Sequence, residues 1–226
     1  MRRALACVTL VMLGALPGSA SAGGLDVRLG AFFPRESSNL FSDDRELYTV
    51  EKNDWQGFTG GIEYNARVAP NLELGVHVDG YGRTLDTVYR DFTTDTGRDI
   101  GQTLKLEIVP VGVTLRLIAG GRRSTVVPYF GVGADLYYWR YEEFGDFIDF
   151  DDPTFPIIAD SFFSDGVTAG GHVAAGVRVR LNHDVSLVGE GRYHATPKVT
   201  MGDDFPRALQ LDLSGWSATL GVHVEF

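Results

Sequence analysis

Apolar and polar residues alternate one for one along most of the chain, in segments of about ten residues or more. An alternation with a period of two places successive side chains on opposite faces of a β-strand. The alternating segments are separated in turn by long polar connections and by short turns. There are eight of them, at residues 25–33, 57–67, 72–83, 102–118, 126–140, 167–181, 185–194 and 211–226. The pattern predicts an all-β fold of antiparallel strands connected up and down.

The alternation changes phase in two of these segments. In the fourth segment, the apolar parity of Leu104 to Ile108 shifts to that of Val109 and its followers beside Pro110. The last segment shifts near residues 214–215. One extra residue in a strand produces such a shift, and proline cannot donate a ladder hydrogen bond. The sequence therefore predicts a β-bulge at each place.

Residues 1–22 have the pattern of a secretory signal peptide. They begin with two arginines, continue apolar to Leu16 and end in small residues. The apolar run is too short to span a bilayer as a helix, so we expect cleavage after Ala22 and one barrel domain at residues 23–226. The chain's single cysteine, Cys7, would be lost with that segment. Disulfides, thiol catalysis and cysteine metal sites are then excluded.

The charge and the charged faces of the strands narrow the class of protein. A formal net charge of −10 argues against a nucleic-acid partner. In a soluble sandwich the charged face would meet water, whereas in a membrane barrel the apolar face meets lipid and the charged face fills the lumen. The export signal, the even number of strands and the alternation of long and short connections favour the barrel. The long connections are then expected on the outside of the cell.

Two stretches carry a resemblance to a known family. The segments PYFGVGADLYYW at 128–139 and LSGWSATLGVHVEF at 213–226 resemble the OmpA/OmpX-like outer-membrane β-barrel domain family. The resemblance implies an eight-stranded up-and-down transmembrane β-barrel in the outer membrane, surrounded by lipid and lipopolysaccharide and acting as a monomer. It also implies that Phe226 belongs to the assembly signal recognised by the barrel-assembly machinery.

The polar face of the strands predicts the contents of the lumen. A barrel of eight strands is just wide enough inside for side chains to fill, so buried charges there must form pairs. We expect Arg67 opposite Glu73, Glu63 opposite His77, and Glu190 beside Arg178. Either a plugged lumen or a narrow gated conduit would satisfy this pattern. The predicted ionic network comprises Glu63, Arg67, Glu73, His77, Asp79, Arg178, Glu190 and Arg192, within a nearly neutral set that also includes Asp26, Arg28, Lys105, Glu107, Arg116, Asp135, Arg180 and Glu225.

The inward histidines are the remaining candidates for chemistry. A turn centred on His183 would place His172 opposite His194, where a pair of imidazoles either binds a metal ion or joins a polar network. We expect the network, with no metal and no cofactor. His194 and Thr196 resemble the His-x-Ser pair of lipid A deacylases, but threonine replaces serine and no acid is placed to orient the base. We therefore expect no catalytic residues.

Residues 142–165 form the most distinctive predicted connection, because they interleave acids with aromatic residues and contain no base. Such a loop would bind Ca²⁺ or a partner, or lie solvated with its rings on the lipid headgroups; no calcium-loop spacing is present. The aromatic residues expected at the outer membrane interface are Trp55, Tyr81, Tyr137, Tyr138, Trp139 and Tyr141.

The sequence therefore predicts a non-catalytic outer-membrane barrel that contributes to envelope integrity or surface interaction through its outer loops. Two alternatives stay open at this point. The first is a transport barrel for small hydrophobic ligands, and the second is a lipid A-modifying enzyme.

Overall fold

The structure is a computed structural model that describes residues 23–119, 124–149, 152–202, 204–205 and 209–226. The predicted signal peptide, including Cys7, lies outside the described residues, as do most of the turn at 119–123 and residues 150–151. Among the described residues, no helix is long and apolar enough to cross a membrane.

The described part of the chain forms ten strands and one helix. They are β1 Gly23–Pro34, α1 Asn39–Leu47, β2 Gly57–Ala69, β3 Leu72–Thr93, β4 Asp99–Ile118, β5 Val126–Ile148, β6 Ile157–Arg180, β7 Val185–Ala195, β8 Val199–Thr200, β9 Gln210–Leu211 and β10 Gly215–Glu225. Eight of these strands close into an antiparallel barrel in the order β1-β10-β7-β6-β5-β4-β3-β2, so the predicted fold is confirmed, and β8 and β9 pair with each other outside it.

The barrel closes between its first and last strands. The Gly23 amide donates to the Phe226 carbonyl at 3.0 Å, and the Phe226 amide donates to the Gly23 carbonyl at 2.8 Å. At the same end, the side-chain oxygen of Asn182 accepts hydrogen bonds from the amides of Asp184 and Val185, which forms the tight turn between β6 and β7. An asparagine that caps its own turn in this way explains why so short a connection suffices.

The outward residues next to the short turns form an apolar band. Exposed leucine, valine, isoleucine and phenylalanine side chains cover this part of the wall, and exposed rings border it at Phe33, Phe58, Tyr138 and Trp216. Beyond Tyr138 the outward residues of β5 become Arg140 and Glu142. A band of this kind is what the hydrocarbon layer of a membrane requires, with rings at its border.

Four strands continue well past the apolar band. β3, β4, β5 and β6 contain 22, 20, 23 and 24 residues, whereas about 9–11 residues cross a membrane. The parts beyond the band, residues 82–93, 99–107, 139–148 and 157–166, form one four-stranded sheet that we call the outer sheet. The prediction of a loop at 142–165 is therefore wrong, because residues 142–148 and 157–165 are paired strand.

The predicted bulge beside Pro110 is also wrong. β3 and β4 keep one register from the Val78–Val111 pair to the Tyr81–Ile108 pair, and β4 pairs with β5 without interruption. What changes at Pro110 is which face of β4 is apolar. Leu104 and the other apolar residues of that parity point into the barrel, where they are buried, while Lys105 and Glu107, which were predicted in the lumen, lie on the outside.

A compact apolar core fills the outer mouth of the barrel. The helix α1 contributes Leu40 and Phe41, and the segment before β10 contributes Leu211 and Leu213. The predicted phase change near residue 214 thus reflects the end of the strand rather than a bulge. We call this core the plug; its principal members are Leu40, Phe41, Tyr48, Trp55, Tyr81, Leu85, Leu104, Leu106, Ile108, Tyr137, Trp139, Tyr141, Leu211 and Leu213.

The plug also corrects the predicted aromatic belt. Of the six rings expected at the membrane interface, only that of Tyr138 lies on the outside of the wall. Trp55 and Tyr141 are fully buried, and Tyr137 and Trp139 are nearly so. The parity of these rings places them inside, where they fill the plug with large side chains that each contribute about 1.5–3 kcal/mol of burial free energy.

Cysteine labelling tests the uninterrupted β4. In a Cys7→Ser background, we expect Leu106→Cys to stay unreactive towards a water-soluble maleimide, because its side chain points into the plug. Glu107→Cys, one residue along on the outer wall, should react quickly. Full labelling of both after unfolding in SDS is the control. Rapid labelling of Leu106→Cys in the folded barrel would contradict the uninterrupted strand and support a bulge beside Pro110.

Candidate functional site: the lumen and the outer mouth

Below the plug, the lumen is crossed by a network of buried charges centred on Arg116. Its guanidinium contacts Asp26 at 2.9 Å, Glu63 at 2.8 Å and Glu190 at 3.1 Å. All four side chains are buried. A planar guanidinium carries five donors in a fixed geometry, so one arginine can satisfy several carboxylates at once. Arg116 therefore ties β4 to β1, β2 and β7 across the lumen.

Two further arginines contact two of these three carboxylates. Arg28 contacts Glu63 at 2.8 Å and Glu190 at 2.9 Å, and Arg192 contacts Glu63 at 3.1 Å and Glu190 at 3.0 Å. Both also reach Asp79, at 3.2 Å from Arg28 and 3.0 Å from Arg192. The carboxylates and guanidiniums thus alternate in a continuous layer across the barrel.

Two of the three predicted side-chain pairs are found, both across the short turn between β2 and β3. Arg67 stands opposite Glu73, with an ion pair of 3.2 Å, and Glu63 stands opposite His77 in the β2–β3 ladder. The pairing of Glu190 with Arg178 is wrong, because Arg178 contacts Glu73 at 2.8 Å instead. In so narrow a lumen, long side chains reach across to other strands rather than along the neighbouring one.

The layer closes the lumen. The cavity between it and the plug has a volume of about 30 Å³ and is lined by Arg28, Asp79, Tyr137, Arg192 and His194, among others. Space of that size holds about one water molecule.

Three inward residues form a separate group beside the arginine layer. Asp135 Oδ2 lies 2.7 Å from His172 Nδ1, and Asp135 Oδ1 lies 3.1 Å from His77 Nε2. The Thr114 hydroxyl lies between the other ring nitrogens, 3.4 Å from His77 Nδ1 and 3.1 Å from His172 Nε2. We call His77, Asp135 and His172 the histidine cluster. His172 also stands opposite His194 in the β6–β7 ladder, as predicted.

The His194–Thr196 pair does not form a catalytic arrangement. His194 is buried and contacts the hydroxyls of Tyr137 at 3.1 Å and Ser217 at 3.3 Å. The Thr196 hydroxyl instead contacts Ser214, at 3.4 Å. The Ser217–His194 contact has the residue types of a nucleophile and base, but the adjoining cavity of about 30 Å³ has no room for a lipid acyl chain.

Two carboxyl groups share a buried hydroxyl within the plug. Tyr141 Oη lies 3.1 Å from Asp44 Oδ1 on α1 and 2.9 Å from Glu143 Oε1 on β5. Burial raises the pKa of Asp44 well above its usual range, and the charge of Glu143 raises it further; burial also raises the pKa of Glu143. Because one hydroxyl proton serves only one acceptor at a time, a protonated carboxyl must complete the bridge. Arg45, whose charge acts in the opposite direction and lowers the pKa of Asp44, is bonded to Glu36 at 3.1 Å.

Among the described residues, the outer edge of β6 has no strand partner. β6 pairs with β5 along its whole length, but with β7 only from Gly171 onwards. The Phe163 amide points to the free side, where its contact is a distant Asp204 carboxylate at 3.5 Å. Because backbone groups alternate along a strand, the amides of Ala159 and Ser161 point to the same free side, where the Ser161 amide donates to the side chain of Asp160 at 2.7 Å. An unpaired edge of this kind accepts an added strand.

The acids of this region do not gather into a cation site. Among the described residues, no three carboxylates from 142–165 converge on one point; Asp151 lies outside the described part of the chain. Phe144, Phe155, Ile157, Ile158 and Phe163 are exposed. The surface that results is acidic, partly apolar and bordered by the free β6 edge.

Phe226 lies at the inner rim, with its ring exposed and 6.2 Å from that of Tyr64. Sequence reasoning missed α1, the plug and the Asp44–Glu143 pair. One signal was available for the plug: the inward parity of β5 continues from Asp135 through Tyr137, Trp139 and Tyr141 to Glu143 without a break. Nothing in the sequence placed Asp44 against that strand.

Comparisons with known proteins agree with this geometry. The family model described as outer membrane protein beta-barrel domain matches residues 4–226. The outer membrane protein OprG from Pseudomonas aeruginosa superposes with a TM-score of 0.55 at 12% identity, covering 91% of this chain and 97% of OprG. Neisserial surface protein A superposes with a TM-score of 0.50 at 17% identity, covering 93% and 100%. No curated protein sequence matches the chain significantly. At these identities, the two structures are similar in fold alone.

The arginine layer predicts a large cost for removing its centre. Arg116→Met would leave three buried carboxylates short of a partner and should lower the free energy of unfolding by about 3–5 kcal/mol. Lys105→Met, which removes a base from the outer wall, should cost about 0–1 kcal/mol. Urea unfolding in lipid vesicles measures both. Adding Glu63→Gln to Arg116→Met should recover part of the loss; a loss no larger than that of Lys105→Met would contradict the network.

The Asp44–Glu143 pair predicts a pH-dependent plug. A carboxyl whose pKa is raised by folding stabilises the folded state fully below about pH 4, and this contribution is lost as the pH rises through the raised pKa. We expect the amide hydrogens of α1 to exchange faster, relative to their intrinsic rate, as the pH rises from about 5 to about 9. This range lies above the ordinary pKa of an aspartate, which is about 4. Asp44→Asn should remove most of this dependence, whereas Asp43→Asn should retain it.

Proposed function

We propose that this chain, which belongs to the outer membrane protein beta-barrel domain family, acts as a closed, non-catalytic surface protein that binds a partner through its outer sheet. Membership of the family places the protein in the outer membrane, with its apolar band in contact with lipid and lipopolysaccharide. The observation that supports the rest is the pairing of a closed lumen with a free, acidic strand edge beyond the membrane.

The closed lumen argues against the transport alternative. A small hydrophobic ligand entering from outside would have to displace the plug. It would then have to break buried ion pairs in order to cross the arginine layer. Breaking a buried pair costs about 3–5 kcal/mol. We propose that the layer, including Arg67 and Glu73 at its inner end, has a structural role. Ionic conductance through planar bilayers would favour transport instead.

The enzymatic alternative lacks a suitable site. His194 lies in the lumen, with only a water-sized cavity beside it. A lipid A-modifying enzyme needs a nucleophile and base open to the outer leaflet. We propose that the wall has no such site, and that the exposed Phe226 serves as the assembly signal that the resemblance implies.

The partner that fits the free edge is an extended, basic polypeptide segment of another protein. The edge offers backbone donors and acceptors at alternate residues from Ile157 to Phe163, which is the recognition mode of strand addition. Residues 141–165 carry acids and no base, so lysine or arginine on the added strand would be attracted. The exposed rings and isoleucines along the same hairpin would contact its apolar side chains.

A second copy of this chain fits the edge less well. Edge-to-edge pairing of two β6 strands would bring Asp160 and Asp165 of one molecule close to the same acids of the other. Like charges on facing strands destabilise a sheet. The charge therefore favours a basic partner over self-association.

Strand addition is tested with a peptide that alternates lysine and valine, compared with one that alternates glutamate and valine. We expect the folded protein in detergent to bind the lysine peptide and not the glutamate peptide, with affinity falling as salt screens the charges. Ser161→Pro should reduce the affinity at least tenfold, because proline removes an amide on the free side without touching the β5–β6 ladder.

Ser161→Ala is the matched control and should bind like the wild type. Asp160→Asn should weaken binding moderately and reduce its salt dependence. Fluorescence anisotropy of the labelled peptide measures all of these. Equal binding by Ser161→Pro and the wild type would exclude the β6 edge as the contact surface.

A further inference from the structure

Asp135 is set apart from the other carboxylates of the lumen. Each of the other five has an arginine within 4.0 Å, whereas the ion pairs of Asp135 among the described residues are to His77 and His172 alone. A buried carboxylate without a cation is costly. The Tyr137 hydroxyl donates to Asp135 Oδ2 at 2.8 Å, so the charge of Asp135 is balanced either by a protonated imidazole or by a cation bound in the cluster. The other five are Asp26, Glu63, Glu73, Asp79 and Glu190.

The atoms of the histidine cluster converge on one point. One ring nitrogen of each histidine and a carboxylate oxygen of Asp135 all lie within 4.8 Å of one another. His77 Nε2 and Asp135 Oδ1 are both buried, lie 3.1 Å apart and have no hydrogen-bond partner. Ligand atoms around a tetrahedral zinc ion are about 3.3 Å apart, since each lies about 2.0–2.1 Å from the metal. Only a small movement separates this arrangement from a coordination site.

The backbone leaves space for this convergence. Asp135 lies over Gly112, where an added Cβ would stand 2.0 Å from its carboxylate, and His172 lies over Gly133, where a Cβ would stand 2.2 Å from the ring. Any side chain at either glycine would push a member of the cluster away. The two glycines therefore fix the positions of the carboxylate and one imidazole.

Thr114 orients both imidazoles from behind. Its hydroxyl oxygen is within reach of His77 Nδ1 and His172 Nε2, the two nitrogens that point away from Asp135. An oxygen with two lone pairs can accept from both rings when each carries its proton on that side. Both nitrogens that face Asp135 then present lone pairs, which is the tautomer that metal ligation requires. Outer contacts of this kind orient the ligands in metal sites.

We propose that the histidine cluster binds a divalent transition-metal ion of the zinc class through His77 Nε2, His172 Nδ1 and the Asp135 carboxylate. Two imidazoles and one carboxylate suit zinc and its neighbours better than calcium or magnesium, which prefer oxygen ligands. The ion supplies the charge that Asp135 lacks and links β3, β5 and β6 inside the wall.

Cobalt is the probe, because a tetrahedral Co²⁺ site has a characteristic visible absorption. The unfolded chain is refolded into detergent with Co²⁺ or Zn²⁺ and dialysed against metal-free buffer. We expect about one metal ion per chain by elemental analysis, the visible bands of Co²⁺, and a higher thermal midpoint than for protein refolded with chelator. Nitrogen hyperfine coupling from two imidazoles in the Cu²⁺ spectrum of the wild type identifies the ligands without any variant.

His77→Gln and His172→Gln should each lose the bound metal, and the heat-dependent gel shift shows whether they fold. Thr114→Val keeps all three ligands and should weaken binding about 10–100-fold. His223→Gln is the matched control, since His223 is another buried lumen histidine paired with an aspartate, Asp26, and it should bind metal normally. Wild-type protein that retains no metal overturns the proposal and leaves a protonated imidazole as the partner of Asp135. Metal retained by both ligand variants would also overturn it.

Discussion

Charge buried in a narrow lumen is the constraint on which the rest of this barrel depends. The barrel is too narrow for solvent to screen the five buried carboxylates of its lumen, Asp26, Glu63, Glu73, Asp135 and Glu190, and isolating any one of them would cost several kcal/mol. Arginine is suited to this task because one guanidinium serves two or three acids, and Arg116, Arg28 and Arg192 do so around Glu63 and Glu190. The same contacts join strands far apart in the chain. The lumen is thus both closed and cross-linked by one set of interactions.

The interior changes from ionic to apolar where the wall leaves the lipid. Inside the membrane, the outer face must be apolar, so the inner face carries the charges. Beyond it, the outer face meets water and can carry Lys105 and Arg140, and the inner face becomes free to hold an apolar core. The plug follows from this exchange, and α1 covers it from above. The acidic group within it, the Asp44–Tyr141–Glu143 bridge, is satisfied by a shared proton rather than by a base.

The periodicity of the sequence was sufficient to predict the barrel, its strand order and the register across the tight turns, because each depends on local alternation and turn residues. It gave the wrong orientation where the alternation continued but the apolar side chains faced the inside of the barrel rather than lipid. The apolar parity of Leu104 to Ile108 was interpreted as lipid-facing, although it faces the plug. A period of two reports that two faces differ, not which face is inside. The same ambiguity made Trp139 and Tyr141 look like interface rings.

Contacts across the lumen were beyond local reasoning for a different reason. Arg67 and Glu73 are joined by a turn, so their pairing follows from sequence distance, whereas Arg178 meets Glu73 only because the barrel closes. The histidine cluster is of this second kind. His77, Asp135 and His172 come from β3, β5 and β6, and β3 is next to neither of the other two strands in the barrel. The cluster touches the arginine layer through His77 and Asp79, 3.8 Å apart, and among the described residues the ion pairs of Asp135 include no arginine. Within the lumen, the other acids of the network pair with arginine, whereas Asp135 is held by two imidazoles and the Tyr137 hydroxyl.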